Sequence, residues 1–262
     1  MRFRAIFRAM EQWKRETGFA TIERPDETLN TMIEKLSGRR ALVVATSNRW
    51  KGEGEVAKST LLAQVVAKEA GATFIDASKL RIATCEGNIS SIKGNKCGVK
   101  GALLKDPSRN SGGIHRCWAS INNPDDELWR VSKPLLESDV VVFFASVRWG
   151  QTNSVYQRLI ERLSWIENRW TTLGEENVLQ GVEAGIVLVG HNWNGEVVLE
   201  TQRRVLSFFG FDVPANLSFG WQWTQDEGDE TQEGYKADPK DFGDDFGIVP
   251  IESLLRGKRV NP

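Results

Sequence analysis

The sequence predicts an α/β fold in which a parallel sheet is covered by helices on both faces. Residues 41–45, 139–145 and 184–189 form three nearly continuous apolar runs of strand length. Each run leads into a polar loop and then into a segment with the 3.6-residue period of an amphipathic helix. Continuous apolar runs are typical of strands buried on both faces, and their alternation with helices indicates a parallel sheet. The 262 residues suffice for one large domain with extensions.

The first 38 residues are predicted to form a helical arm ahead of this domain. Apolar residues at positions 3, 6, 7, 10 and 13 recur at helical spacing, and basic residues occupy the other face. Pro25 and Asp26 interrupt the arm, and a second short helix starts at Asp26. We expect the arm to pack on the domain or on a second subunit, while a transit peptide or a membrane-surface helix stays open as an alternative.

The loop after the first apolar run has the composition of an anion site. Thr46 begins a stretch rich in glycine and small polar residues, and Ser59 and Thr60 stand at the start of the next helix. The first turn of a helix offers free backbone N–H groups and the positive end of the helix dipole. Short hydroxyl side chains add donors without bulk. The sequence therefore predicts a phosphate site at the carboxyl end of the first strand.

Two alternatives to this interpretation stay open. Residues 52–59, GEGEVAKS, differ from the P-loop pattern of nucleotide triphosphatases at one position, where Ala57 replaces the second glycine. Alanine resists the close backbone approach of the phosphates, and Glu53 and Glu55 would stand beside them, so this alternative is disfavoured. The other alternative is an ordinary connection between a strand and a helix that binds no ligand.

The remaining chain supplies a short strand, a long irregular segment and two more polar loops. Residues 72–76 are the short strand, and residues 80–120 lose all periodicity, which is typical of a cap or a binding loop. A helix is expected over residues 125–137, kinked by its internal proline. Polar loops then follow the apolar runs at residues 146–153 and 190–195. Because parallel strands end at one edge of a sheet, all three loops are expected to converge there around a ligand.

The loops resemble those of the flavodoxin-like NAD(P)H-dependent FMN reductase family, over roughly residues 39–220. Ser47 and Arg49 match the small-residue loop of the family, and Ser59 or Thr60 matches its hydroxyl residue near the helix start. The segment that lines the flavin in the family, of the type Pro-Val-Tyr-Trp-Gly, stands here as Ser146, Val147, Arg148, Trp149 and Gly150. The loop 190–195, with Gly190, His191 and Asn192, takes the place of the glycine-rich loop at the flavin edge.

The resemblance implies a five-stranded, doubly wound sheet of order 2-1-3-4-5 that binds FMN without a covalent bond. It implies an enzyme in which NADH or NADPH, the co-substrate, passes hydride to the flavin. The electrons would then go to a small-molecule acceptor such as a quinone, a nitro or azo compound, or free flavin. No catalytic side chain is predicted, because the hydride step needs no protein acid or base. A non-enzymatic electron carrier or FMN-binding protein is the alternative, and a scaffold without flavin is a third possibility.

The cysteines and histidines do not predict a metal site. A related branch of the family holds an iron-sulfur cluster on four cysteines, but this chain has three in all and only Cys85 and Cys97 at matching places. Two thiolates cannot hold such a cluster, so we expect no metal and ordinary packing roles for the cysteines, including Cys117. His115 is expected on the surface of a loop, whereas His191 is a candidate to touch flavin or substrate.

Composition sets the remaining expectations. A formal net charge of −1 disfavours nucleic acid as a partner, and no apolar run is long enough to cross a membrane. Three unevenly spaced cysteines favour a reducing cytoplasm. Residues 221–262 are expected to form an acidic C-terminal extension. A homodimer or homotetramer is expected from the resemblance. The physiological acceptor and the preference between NADH and NADPH do not follow from the sequence.

Overall fold

The computed structural model describes residues 25–48, 56–190 and 194–222. Several expectations fall outside these ranges. They concern the first helix of the arm, the acidic C-terminal extension beyond residue 222, and the predicted site residues Arg49, His191 and Asn192.

A parallel sheet forms the centre of the fold, so the predicted α/β class is confirmed. Its parallel strands are β1 (Ala41–Ala45), β2 (Thr73–Asp76), β3 (Val140–Arg148), β5 (Glu183–Gly190) and β6 (Phe219–Gln222). They lie side by side in the order β2-β1-β3-β5-β6. A two-residue strand, β4 (Gln151–Thr152), pairs antiparallel with the end of β3. The three predicted apolar runs are thus β1, β3 and β5, and they occupy the middle of the sheet.

Six α-helices accompany the sheet in the described part of the chain. They are α1 (Pro25–Leu36), α2 (Lys58–Ala70), α3 (Trp118–Asn122), α4 (Trp129–Glu137), α5 (Ser154–Thr171) and α6 (Gly195–Phe209). Helix α2 ends at Gly71, whose φ of 67° is the left-handed conformation that closes many helices. Helix α4 starts at Trp129, later than expected, and carries Pro134 within it. Among these helices, none has the length and apolar character needed to cross a membrane.

Alternate residues of the central strands enter two separate hydrophobic cores. Leu42 and Val44 of β1 pack with residues of α4, α5 and α6 on one face of the sheet. Val43 of β1 packs on the other face with residues of α1 and α2. A strand covered on both faces has no solvent side, and this is why the apolar runs are continuous. Helix α1 contributes Leu29 and Met32 to the second core, so it packs on the sheet.

The irregular segment between β2 and α4 folds back onto α5. Arg162 of α5 and Asp126 of the segment form an ion pair at 2.7 Å, and both side chains are fully buried. Arg162 also donates to the carbonyl oxygen of Ala83, at 2.7 Å. Farther along α5, Asn168 donates to the carbonyl oxygen of Cys97. Polar contacts of this kind hold a segment that has little regular secondary structure of its own.

The prediction of a surface position for His115 is wrong. This residue is only 2% exposed, because the segment that carries it is pressed against α5. Its Nδ1 lies 2.7 Å from Ser132 Oγ, and its Nε2 lies 2.9 Å from Ser120 Oγ. Burial, reinforced by the positive charge of Arg162, lowers the pKa of His115 to about 4. His115 is therefore a neutral, hydrogen-bonded core residue near pH 7.

Candidate functional site

The start of α2 meets the end of β1 through hydroxyl groups. Ser59 Oγ lies 2.6 Å from Ser47 Oγ, and Thr60 Oγ1 donates to the carbonyl oxygen of Ser47 at 3.3 Å. Ser47, Ser59 and Thr60 are all at most 3% exposed. Three of the predicted site residues are therefore brought together, although the loop that joins them lies largely outside the described residues.

The first turn of α2 has no side-chain cap from its N-cap residue. Ala57 occupies that position in an extended conformation, and no acidic residue stands in the first turn. The backbone N–H groups of Thr60 and Leu61 donate to the carbonyl oxygen of Ala57. Free N–H groups at the start of a 13-residue helix, with no acidic residue in its first turn, make a favourable site for an anion.

Asn153 ties the end of β1 to the end of β3. Its Nδ2 donates to the carbonyl oxygen of Thr46 at 2.8 Å, and its Oδ1 accepts from the backbone N–H of Ser146 at 3.1 Å. Thr46 Oγ1 also lies 3.3 Å from that Oδ1. The side chain is 1% exposed and, although Asn153 is the N-cap of α5, it makes no capping bond. Sequence reasoning did not single out Asn153, because a polar residue before a helix is usually interpreted as a cap.

The expected loop after the third strand is in fact a strand end and a tight hairpin. Val147 pairs with Thr152, and Arg148 pairs with Gln151, so the prediction that residues 146–148 are loop is wrong. The two turn residues, Trp149 and Gly150, have φ values of 50° and 67°. Positive φ at both positions is the type I′ turn, which matches the twist of two-residue hairpins. The strand continues because its backbone finds a partner in β4.

Trp149 stands at the tip of this hairpin and is 91% exposed. Behind it, the carbonyl oxygen of Gly150 accepts a hydrogen bond from Asn194 Nδ2 at 2.9 Å. Asn194 is the N-cap of α6 and has a φ of 64°. The hairpin turn is thereby fastened to the start of the helix that follows β5. A large aromatic side chain is thus presented to solvent on a turn whose backbone is fixed.

Arg148 bridges the hairpin and the loop after β1. Its Nη2 donates to the carbonyl oxygen of Asn48 at 3.1 Å, and its Nε lies 3.5 Å from Ser146 Oγ. The side chain is exposed. A guanidinium therefore lies between the carboxyl ends of β1 and β3, on the solvent side of the bonds made by Asn153. This place brings a positive charge to the edge of the sheet where the hydroxyl groups of Ser47 and Ser59 also lie.

Gly190 ends β5 for a packing reason. A Cβ atom at this position would lie 3.1 Å from the Cβ of Val147 and 3.4 Å from its backbone nitrogen. The missing side chain therefore allows close contact with β3. Of the predicted site residues, Ser146, Val147, Arg148, Trp149 and Gly150 line up along the end of β3 and its turn, with Gly190 beside them. Within the described ranges, no group of three or more His, Cys, Asp or Glu side chains is arranged to hold a metal ion.

The chain is similar in structure to several solved proteins. RosB with its bound intermediate 8-demethyl-8-formylriboflavin-5'-phosphate is 16% identical at a TM-score of 0.48, over 83% of this chain and 79% of that chain. The azoreductase AzrA is 15% identical at a TM-score of 0.46, over 83% and 97%. The apo form of the NADH:FMN oxidoreductase EMOB is 13% identical at a TM-score of 0.40, over 85% and 92%.

No protein-family model matches the chain, and no curated protein matches it in sequence. With identities of 13–16% and TM-scores below 0.5, the similar structures do not establish an activity. The function is therefore inferred from the residues of the chain itself.

Proposed function

We propose that the chain is an FMN-dependent oxidoreductase of the flavodoxin-like reductase type. It would take electrons from NADH or NADPH and pass them to a small-molecule acceptor such as a quinone, a nitro or azo compound, or free flavin. The observation that carries this proposal is the hydroxyl pair of Ser47 and Ser59, placed at the start of α2 beside the carboxyl end of β1.

The strand order supports a ligand at this edge of the sheet. From β1 the chain crosses to β2 on one side, and it later returns to β3 on the other side of β1. In a sheet of this order the two connections diverge at the carboxyl ends of β1 and β3, and we propose a crevice there. Open α/β sheets bind ligands at such a switch point, and sheets of this order that bind FMN hold it between the first and third strands. Thr46, Ser47, Ser146 and Arg148 all lie at this crevice.

The phosphate end of FMN fits the residues around the start of α2. A hydroxyl group has one proton to donate and two lone pairs to accept with. When Ser47 and Ser59 bond to each other, one hydroxyl proton of the pair is left to donate to a third group, whichever residue is the donor. Together with the uncapped N–H groups of α2, it would hold phosphate oxygens. Arg49 remains a proposed phosphate ligand.

The ring end of FMN fits the hairpin and the loop after β5. Trp149 offers an exposed aromatic surface, and the guanidinium of Arg148 would pair with the electron-rich end of the reduced ring. His191 and Asn192 remain proposed contacts at the ring edge. When bound, the flavin supplies the hydride and electron transfer, and the chain binds it and orients it. In this proposal the hydrogen bonds of Asn153 and Asn194 keep the two sides of the crevice in fixed positions relative to each other.

A non-enzymatic electron carrier is the second candidate. Trp149 favours it, because a tryptophan that is 91% exposed beside the crevice is suited to contact another protein. An enzyme would be reduced directly by a nicotinamide cofactor, whereas a carrier needs a separate reductase. The two candidates share the FMN site and differ only in the electron donor.

The assembly, the location and the domain limits belong to the same proposal. We propose a homodimer or homotetramer in the cytoplasm. The three free cysteines of the described residues fit a reducing compartment. We further propose that the FMN-binding domain extends from Pro25 instead of residue 39, because α1 buries Leu29 and Met32 against the sheet. The stretch from residue 221 to 262 is proposed to be an extension.

The test is a spectroscopic titration followed by an anaerobic reduction. Purified protein, reconstituted with FMN, should bind it at micromolar concentration and show the two-banded flavin spectrum. On mixing with NADH or NADPH in the absence of oxygen, the flavin absorbance should bleach, and a quinone should restore it. Absence of FMN binding would refute the proposal. Flavin that is bound and reduced by dithionite, yet stays oxidised with both nicotinamides, would establish the carrier instead.

Arg148→Gln with Arg109→Gln as its control tests the ring end. Arg148→Gln removes the positive charge while keeping a donor, so flavin reduction by the nicotinamide should slow by roughly tenfold, about 1.4 kcal/mol in the activation barrier. Arg109 is paired with Asp106 in the segment between β2 and α4, and its replacement should leave the rate unchanged. Equal rates for both variants and the unmodified chain would remove Arg148 from the proposed ring site.

A further inference from the structure

The segment between β2 and α4 brings all three cysteines to one small cavity beside α5. Cys85, Cys97 and Cys117 line this cavity together with Arg162 and Trp165. Its volume is about 20 Å³, which is room for one molecule close to the size of water. All three cysteines are free, and each residue is only partly buried. Ordinary packing, expected for each cysteine separately, does not account for their meeting at one place.

Acidic and basic residues share the lining of this cavity. Glu86 and Glu161 lie on the lining and disfavour an anion, and Arg162 lies there as well. Two donors of lining residues, Arg162 Nε and Trp165 Nε1, are buried without a hydrogen-bond partner among the described residues. Each has less than 1 Å² of accessible surface, so neither donor touches a guest in the cavity. The cavity therefore suits a small molecule that is not an anion.

Cys117 has a cation beside its sulfur. Arg162 Nη2 lies 3.4 Å from Cys117 Sγ. Asp126 holds the same guanidinium in place. Arg162 Nη1 donates to Asp126 Oδ1 at 2.7 Å, and Arg162 Nη2 donates to Asp126 Oδ2 at 2.9 Å. A sulfur next to an immobilised guanidinium has the electropositive surroundings in which reactive cysteines are found. Neither the Asp126 pair nor this contact has a part in the proposed flavin site.

Cys97 has different surroundings from Cys117. Burial raises the pKa of its thiol to about 12, and the neighbouring thiols of Cys117 and Cys85 add to the shift. Cys97 is therefore suited to remain a thiol near neutral pH. Both Cys97 and Cys117 pack against the core cluster that includes Trp165, whereas Cys85 does not. The two cysteines are thus distinguished by what lies next to their sulfurs.

We propose that this cavity is an oxidation site, where a hydroperoxide reacts with Cys117 and Cys97 then forms a disulfide with the oxidised sulfur. Hydrogen peroxide is small and neutral, so it meets both requirements of the cavity. This site is independent of the proposed flavin chemistry, because neither step requires flavin or nicotinamide.

Both steps balance with the hydroperoxide as the only oxidant. The Cys117 sulfur attacks one peroxide oxygen, the O–O bond breaks, and the other oxygen leaves as water with the proton that the thiol gave up. Cys117 is then a sulfenic acid. The Cys97 sulfur next attacks the Cys117 sulfur, an S–S bond forms, the S–O bond breaks, and the hydroxyl leaves as water with the Cys97 proton. Two thiols are oxidised by two electrons, and one peroxide becomes two waters.

The experiment uses the full chain with reduced thiols, without flavin or nicotinamide. The protein is treated with one equivalent of hydrogen peroxide, free thiols are alkylated, and the peptides are quantified by mass spectrometry. Cys117 and Cys97 should lose alkylation together and appear as a disulfide that dithiothreitol reverses. Cys85 should react at least about tenfold more slowly. Cumene hydroperoxide, which is far larger than the cavity, should oxidise Cys117 at least about tenfold more slowly than hydrogen peroxide does.

Variants separate the cavity from general thiol oxidation. In Cys97→Ser the second step is blocked, so dimedone should trap Cys117 as a sulfenic acid.

Several outcomes would overturn the proposal. Cys117 reacting no faster than Cys85, equal rates with the two peroxides, or no dimedone adduct in Cys97→Ser would each do so.

Discussion

Asn153 Nδ2 donates to the carbonyl oxygen of Thr46 at 2.8 Å, and this bond joins residues 107 positions apart. The same side chain accepts from the backbone N–H of Ser146 at 3.1 Å. Thr46 follows β1 and Ser146 lies near the end of β3, so one amide holds together the two strand ends that border the proposed crevice. A neutral side chain with both a donor and an acceptor is required for this role.

Replacing Asn153 by alanine should therefore loosen the site and destabilise the fold. The change leaves a buried carbonyl oxygen and a partly buried N–H without their partner, and the loss at a fully buried group costs about 1–3 kcal/mol. We expect a loss of about 2 kcal/mol or more in the free energy of unfolding, measured by urea denaturation. Asn122→Ala is the control, since Asn122 bonds to Glu86 on an exposed surface. Equal stabilities of the two variants would contradict this role.

The double variant Ser59→Ala, Thr60→Ala should weaken FMN binding. It removes two hydroxyl groups at the start of α2, one of which is bonded to Ser47 Oγ. Hydrogen bonds to a charged group contribute about 1.5–3 kcal/mol each, so affinity should fall by roughly tenfold or more. Fluorescence titration with FMN measures it. Ser37→Ala, at the exposed end of α1, should bind FMN like the unmodified chain, and a double variant that does the same would place the phosphate elsewhere.

Gly150 should tolerate asparagine and resist leucine. Its φ of 67° is left-handed, which costs an ordinary side chain roughly 1–2 kcal/mol and asparagine less. Gly150→Leu should lower the free energy of unfolding by about 1 kcal/mol more than Gly150→Asn, as urea denaturation would measure. Equal stabilities of both variants would mean that the type I′ turn is not kept in solution.

His115 should make the protein less stable in mild acid. Its pKa is lowered from the ordinary value of 6.5 to about 4, first by burial and then by the charge of Arg162. Between these values the unfolded chain binds a proton that the folded chain does not, so the free energy of unfolding falls as the pH falls. The full shift corresponds to about 3 kcal/mol.

The His115 prediction is measured as a slope of stability against pH. Urea denaturation of the unmodified chain gives the free energy of unfolding at each pH between about 4.5 and 6.5. This free energy should fall as the pH falls, with a slope that approaches the value for one bound proton. His115→Gln keeps a hydrogen-bonding side chain but does not titrate, so its slope should be smaller by that amount. Identical slopes for both proteins would show that His115 is protonated in the folded state over this range.

The sequence by itself determined the features that depend on neighbouring residues. The three apolar runs at β1, β3 and β5 were recognisable because a strand buried on both faces must be apolar at every position. The hydroxyl residues at the start of α2 were recognisable because the first turn of a helix offers free backbone N–H groups, and short hydroxyl side chains add donors to such an anion site. Ser59 and Thr60 follow from that local pattern, Ser47 follows from the family resemblance, and the structure brings all three together.

Only the tertiary structure decided the features that depend on residues far apart in the chain. The continuation of β3 to Arg148 requires the partner strand β4, and the burial of His115 requires α5. The local sequence pattern does not indicate that Asn153 bonds to the end of β1. It also does not indicate that three cysteines lie at one cavity. A hydrogen bond or a cavity is a relation between chain segments, and local periodicity records only which face a residue turns to the core.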